Sequence, residues 1–99
     1  MSIRHIVMWE FTGTKAERSH HAQAFADSLE SLVGVIPNLQ DLHAKTPIKE
    51  YEGDFDLVLV ADFASFDDLT HYQKHPKHQE IAKKLGSVTA KRAAFDFES

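Results

Sequence analysis

Residues 71–78 read HYQKHPKH and gather three of the chain's seven histidines beside a tyrosine and a proline. An imidazole titrates near pH 6.5, so a histidine can take a proton from a carbon next to a carbonyl at neutral pH. A tyrosine hydroxyl can hold that carbonyl, or the enolate oxygen that develops from it, by donating a hydrogen bond. A base and an oxygen-holding donor suffice for enolisation, aldol closure or isomerisation, and no cofactor is called for. The same histidines also suggest a metal reading. His71 and His75 stand at i, i+4 and His75 and His78 at i, i+3, spacings that can meet a cation on one helix face. Pro76 spoils that register and the acid in the following turn is Glu80 alone, so no metal site is expected. A third reading is structural, with His75 capping the helix that the proline starts.

Positions 72 and 78 are six residues apart, about 600° around a continuous helix, and would face different ways. Pro76 removes a hydrogen bond from a helix interior but suits the first turn of a new helix. The chain is therefore expected to kink at His75. Ser65 and Asp68 open the first piece, with Leu69 and Tyr72 on its apolar side. The second piece runs through Ile81 and Leu85 to Gly86, which ends it. If that piece turns back across the end of a sheet, Tyr72 and His78 reach one pocket.

The sheet is legible in the alternation of the remaining segments. IRHIVMWEF puts Ile3, His5, Val7, Trp9 and Phe11 on one face and Arg4, Ile6, Met8 and Glu10 on the other. Thr14 and Glu17 form a capping box for a helix with Ala22, Phe25, Leu29 and Leu32 at three and four spacing, closed by Gly34 and Pro37. A weaker strand spans 39–48, and YEGD marks a turn before FDLVLVADF. That strand sets Phe55, Leu57, Leu59, Ala61 and Phe63 against Val58 and Val60. VTAKRAAFDFE closes the chain as a strand with Ala93, Phe95 and Phe97 apolar. Sliding the sequence by 52 residues lays 3–11 over 55–63, each strand ending in Phe before a capped helix. His20, His21 and His43 read as solvated surface residues.

The order β-α-β-β-α-β specifies an α+β, ferredoxin-like plan: a four-stranded antiparallel sheet with its helices on one face. Helices on one face leave Ile6, Met8, Val58 and Val60 uncovered on the other. The simplest cover is a second copy of the chain packing sheet to sheet, a homodimer of barrel form.

Composition narrows the function classes. Ninety-nine residues, 42% hydrophobic and 26% charged, make one globular domain over 1–99. The net charge of −4 and the scattered Lys and Arg leave no basic stripe for nucleic acid. Without cysteine there is no disulfide, thiolate metal site or cysteine nucleophile. No run is apolar enough for a membrane span, and the alternating N-terminal segment is not a signal core, so a cytoplasmic location is expected.

Three motifs in order, Arg4-His5-Ile6-Val7, Tyr72 followed by His75-Pro76-Lys77-His78, and Phe95-Asp96-Phe97, resemble the stress-responsive dimeric α/β-barrel, or Dabb, family over nearly the whole chain. The resemblance implies a ferredoxin-like protomer that pairs through its sheets into an α/β-barrel homodimer. Members include plant stress proteins, uncharacterised bacterial proteins and a plant polyketide cyclase that closes a linear tetraketide by aldol condensation. In the cyclase branch a His and Tyr pair is catalytic; the matching positions are His78 and Tyr72, and His5 matches a pocket histidine. The cyclase has a further histidine where this chain has Leu57, a departure that weakens the transfer of the polyketide substrate but not of the pocket.

The combined expectation is a small-molecule pocket between helices and sheet, lined by His5, Val7, Trp9, Phe25, Leu59, Tyr72 and His78, with His75 beside it. His78 would be the base and Tyr72 the oxygen-holding donor in cofactor-free lyase or cyclase chemistry on a small carbonyl or polyketide-like compound. The other readings are a non-catalytic stress-related or ligand-binding scaffold and a His-based metal-binding protein.

Overall fold

Strand β1 (Ile3–Phe11) runs through the middle of the sheet, and its alternation is realised in burial: Ile3, His5, Val7, Trp9 and Phe11 are buried, while Ile6, Met8 and Glu10 are half-buried. The computed structural model describes residues 2–48 and 53–99. Helix α1 (Lys15–Glu30) starts at the capping box, where the Glu17 N–H donates to the Thr14 hydroxyl at 3.2 Å and the Thr14 N–H donates to Glu17 Oε1 at 2.9 Å. The helix ends at Ser31, earlier than Gly34. Leu32 and Ile36 are still buried, in the turn that follows. Gly34 has φ +84°, a conformation that side chains other than glycine's strain to adopt.

Strands β2 (Leu39–Lys45) and β3 (Leu57–Phe63) follow, and the sheet order is β2-β3-β1-β4, antiparallel throughout. Tyr51 and Glu52 of the expected turn lie outside the described residues. β3 begins at Leu57 rather than Phe55. Just before it, the Asp56 carboxylate takes the Phe11 N–H at 2.8 Å and two donors of Arg18 at 3.0 and 3.1 Å, tying β1, β3 and α1 together.

The second helical segment is two helices, α2 (Phe66–Lys74) and α3 (Pro76–Val88), so the order is β-α-β-β-α-α-β. Ser65 caps α2, its hydroxyl accepting from the Asp68 N–H at 3.2 Å. α3 does not stop at Gly86 but runs through it to Val88. Leu85 and Val88 pack on the core there, and the cost of one helical glycine, about 1 kcal/mol, is small beside such burial. Among the described residues, no helix is long and apolar enough to cross a membrane.

The core lies between the sheet and the helices, with Val7, Phe11, Leu57, Leu59, Phe63, Leu69 and Tyr72 as its largest fully buried side chains. β4 (Thr89–Glu98) sends its apolar residues the other way. Ala93 pairs with Met8 and Phe95 with Ile6, so both sit on the helix-free face, where Phe95 is 66% exposed. Its alternate residues Arg92, Ala94 and Asp96 stand beside Trp9, Val7 and His5 on the helix side. That parity sets what the site contains.

Candidate active site

The break between α2 and α3 organises the site. In an unbroken helix the Gln73 carbonyl would accept the Lys77 N–H. Here the Lys77 N–H instead donates to His75 Nδ1 at 3.1 Å, and Pro76 occupies the first position of α3. The released Gln73 carbonyl accepts from His78 Nδ1–H at 3.2 Å. A carbonyl can only accept, so the neutral His78 ring carries its proton on Nδ1 and its lone pair on Nε2. The kink thus fixes the tautomer of His78 and uses His75 as a cap.

His78 packs on Tyr72, ring centroids 4.4 Å apart at 52°. Tyr72 is 1% exposed and leans on Phe63 at 5.1 Å, and its hydroxyl is buried with no hydrogen-bond partner among the described residues. Burial pushes the phenol well above its ordinary pKa, so the hydroxyl remains a donor at physiological pH. Burial also lowers the pKa of His78; the bond to Gln73 opposes this, and the nearby charges of His5, Arg92 and His75 add to it. The downward shift favours the neutral ring at neutral pH, the form a general base must have.

Across the cavity, His5 is buried within β1, and its Nδ1 hydrogen-bonds the Asp96 carboxylate of β4. With a carboxylate as acceptor, Nδ1 is the donor and Nε2 the other ring nitrogen. His5, Val7, Trp9, Leu59, Tyr72 and His78 all line a cavity of about 140 Å³ between helices and sheet.

Two expected residues are elsewhere. Phe25 packs on Phe11 at 5.8 Å, and the residue of α1 in the wall is Leu29, one turn further on. His75 is spent on its cap and is absent from the wall. His21 is half-buried against Phe11 rather than solvated, at 6.0 Å. The wall also holds residues that the sequence reading passed over, among them Gln73, Ala82, Gly86, Thr89 and Arg92. Gly86 has the sequence signature of a helix stop, and Arg92 declares itself only once β4 is registered on β1.

Among the described residues, no three His, Cys, Asp or Glu side chains are arranged to hold a metal ion. A larger groove of about 570 Å³, between α1 and the segments flanking β2 and β3, has no histidine or tyrosine in its described wall. Its Asp56 and Arg18 are paired with each other.

The sequence pattern of the Stress responsive A/B Barrel Domain family, Dabb, matches residues 3–99. The chain is similar to a dimeric protein of unknown function and ferredoxin-like fold from Bacteroides fragilis, with 23% identity over 99% of this chain and 96% of that one, TM-score 0.87. It is similar also to a dimeric ferredoxin-like protein of unknown function from Thermobifida fusca, 25% identical over 100% of this chain and 92% of that one, TM-score 0.81. A hydroxynitrile lyase from Passiflora edulis shares the fold at 17% identity over 97% of this chain and 91% of that one, TM-score 0.75. No curated protein sequence matches significantly.

Proposed function

This chain belongs to the stress responsive A/B barrel family, and we propose that it is a homodimer whose cavity binds a small carbonyl compound and promotes cofactor-free proton transfer on it. His78 Nε2 takes a proton from the carbon next to the carbonyl. The electron pair of that C–H bond moves into the new C=C bond, the carbonyl π pair moves to oxygen, and the Tyr72 hydroxyl donates a hydrogen bond to the resulting enolate. The enolate then either takes the proton back from His78 at the same carbon, which is exchange or epimerisation, or at another atom, which is isomerisation, or its carbon attacks a second carbonyl, whose π pair moves to oxygen and takes the proton from His78, giving aldol closure.

One observation carries this reading: an imidazole whose Nδ1–H is held by the Gln73 carbonyl lies 4.4 Å from the ring of a tyrosine whose hydroxyl is buried and without a partner among the described residues, at the same cavity. A buried hydroxyl without a partner costs about 1–3 kcal/mol, and a ligand oxygen would supply the missing acceptor. The dimeric relatives and the half-buried Ile6, Met8, Val58 and Val60 support the homodimer. The Passiflora protein is a lyase on this fold, which supports assigning an enzyme of that broad class.

The test is deuterium exchange. Small ketones and keto acids are incubated with protein in D2O, and loss of the α-proton signal is followed by NMR. Exchange faster than in buffer, lost in both His78→Gln and Tyr72→Phe, is expected. Equal rates for wild type and both variants would sink the proposal.

A further inference from the structure

Arg92 gives the cavity a sign. The register of β4 on β1 sets Arg92 beside Trp9, on the helix side of the sheet, and it lines the cavity with His5 and His78. Among the described residues, no aspartate or glutamate is in that wall. Arg92 takes part in none of the ion pairs among the described residues. Asp96 lies on the same face of β4 but four residues on, about 13 Å along the strand, and is engaged by His5.

Among the described residues of this wall, Arg92 thus brings a guanidinium outside every ion pair and Tyr72 a hydroxyl without a hydrogen-bond partner, a cation and a donor that no carboxylate of the wall offsets. A guanidinium presents a planar fork that matches a carboxylate bidentately. The exposed position of Arg92 puts that fork at the mouth, and the apolar wall of Val7, Trp9, Leu59 and Leu85 leaves the interior for hydrocarbon. The volume, about 140 Å³, is on the scale of the cavity of about 150 Å³ that accepts one benzene ring.

We infer that the ligand is a small monocarboxylate of about one ring or four to six carbons, a keto acid or hydroxy-aromatic acid, with its carboxylate on Arg92 and its carbonyl or hydroxyl oxygen on Tyr72. The inference rests on the proposed function and narrows it: Arg92 selects the anion, while Tyr72 faces the reacting oxygen and His78 the carbon beside it. Closeness of Arg92 to His78, felt as a downward push on the imidazole's pKa, agrees with this placement.

Matched pairs that differ only in charge provide the test: acetoacetate against acetoacetamide, and benzoate against benzamide, titrated into 15N-labelled protein and read by amide shifts of cavity residues. In wild type each acid should bind about tenfold or more tightly than its amide, as a charge-assisted pair predicts. In Arg92→Gln the ratio should fall close to one, with the thermal midpoint unchanged, and Arg92→Lys should recover part of it. Equal binding of acid and amide in wild type, or an acid preference that survives in Arg92→Gln, overturns the inference. So does binding of neither pair at the cavity. Deuterium exchange on neutral ketones is read separately, so a pocket that enolises neutral compounds without preferring acids would keep the proposed function and lose only the carboxylate.

Discussion

The Tyr72 hydroxyl and the His78 ring share one cavity wall but not a hydrogen bond: the rings stack at 4.4 Å, while His78 bonds the Gln73 carbonyl and the hydroxyl bonds nothing among the described residues. Core packing alone would be served as well by phenylalanine. The hydroxyl is a cost that binding can recover.

Tyr72→Phe should therefore separate stability from function. Removing an unsatisfied buried hydroxyl while keeping the ring should leave the protein as stable as wild type or more stable by about 1 kcal/mol in urea unfolding. The same variant should lose α-proton exchange. A destabilisation of about 2 kcal/mol would mean that the hydroxyl already has a partner in the free protein.

His78 predicts the pH dependence. Its pKa is lower folded than unfolded, chiefly through burial. At pH values between the two, the unfolded chain binds more protons, so stability rises with pH across that window. The contribution is complete above the unfolded value of about 6.5 and is lost as pH falls through it toward the folded value. His78→Gln should flatten this part of the stability profile. The His78 ring resonance, followed by NMR, should titrate below pH 6.5, and a midpoint at or above the ordinary value would contradict the site's electrostatics.

Gly86 is helical, and a Cβ built there meets no atom within 4 Å. Gly86→Ala should stabilise α3 by about 0.5–1 kcal/mol, raising the thermal midpoint by several degrees for a domain of this size. Because Gly86 lines the cavity, the added methyl should also weaken the larger ligands first. Unchanged or lower stability would show that the glycine is needed for something other than the helix.

Much of this arrangement was legible because burial here follows simple periods. β1 and β3 alternate without interruption, Thr14 and Glu17 pair as a capping box, and Pro76 forces the kink, so the fold could be read directly, while the approach of Tyr72 to His78 depended on the second piece turning back across the sheet. What could not be read was depth along an element. Phe25 and Leu29 lie near one helical face, and only the antiparallel run of α1 over β1 puts Phe25 on Phe11 and Leu29 in the cavity wall. Arg92 had no local signal, since an arginine in an edge strand is ordinarily solvated. Its parity with Asp96 became informative only through the pairing of His5 with Asp96 and of Trp9 with Arg92.

The same parity governs the last prediction. Phe95 and Phe97 lie 6.0 Å apart on the helix-free face, with Ile6 opposite Phe95 and Met8 opposite Ala93. In a lone protomer Phe95 is 66% exposed, so Phe95→Lys there should change stability by no more than about 0.5 kcal/mol. In a sheet-to-sheet dimer the same change would bury an unpaired ammonium, at a cost of several kcal/mol per copy. Light scattering at micromolar concentration should give twice the 11.2 kDa chain mass for wild type and the single mass for the variant. The cavity lies on the opposite side of the sheet, so ligand shifts at His78 and Tyr72 should persist in the monomeric form. A wild-type monomer, or a dimer that survives Phe95→Lys, would place the contact elsewhere and leave the apolar face without a partner.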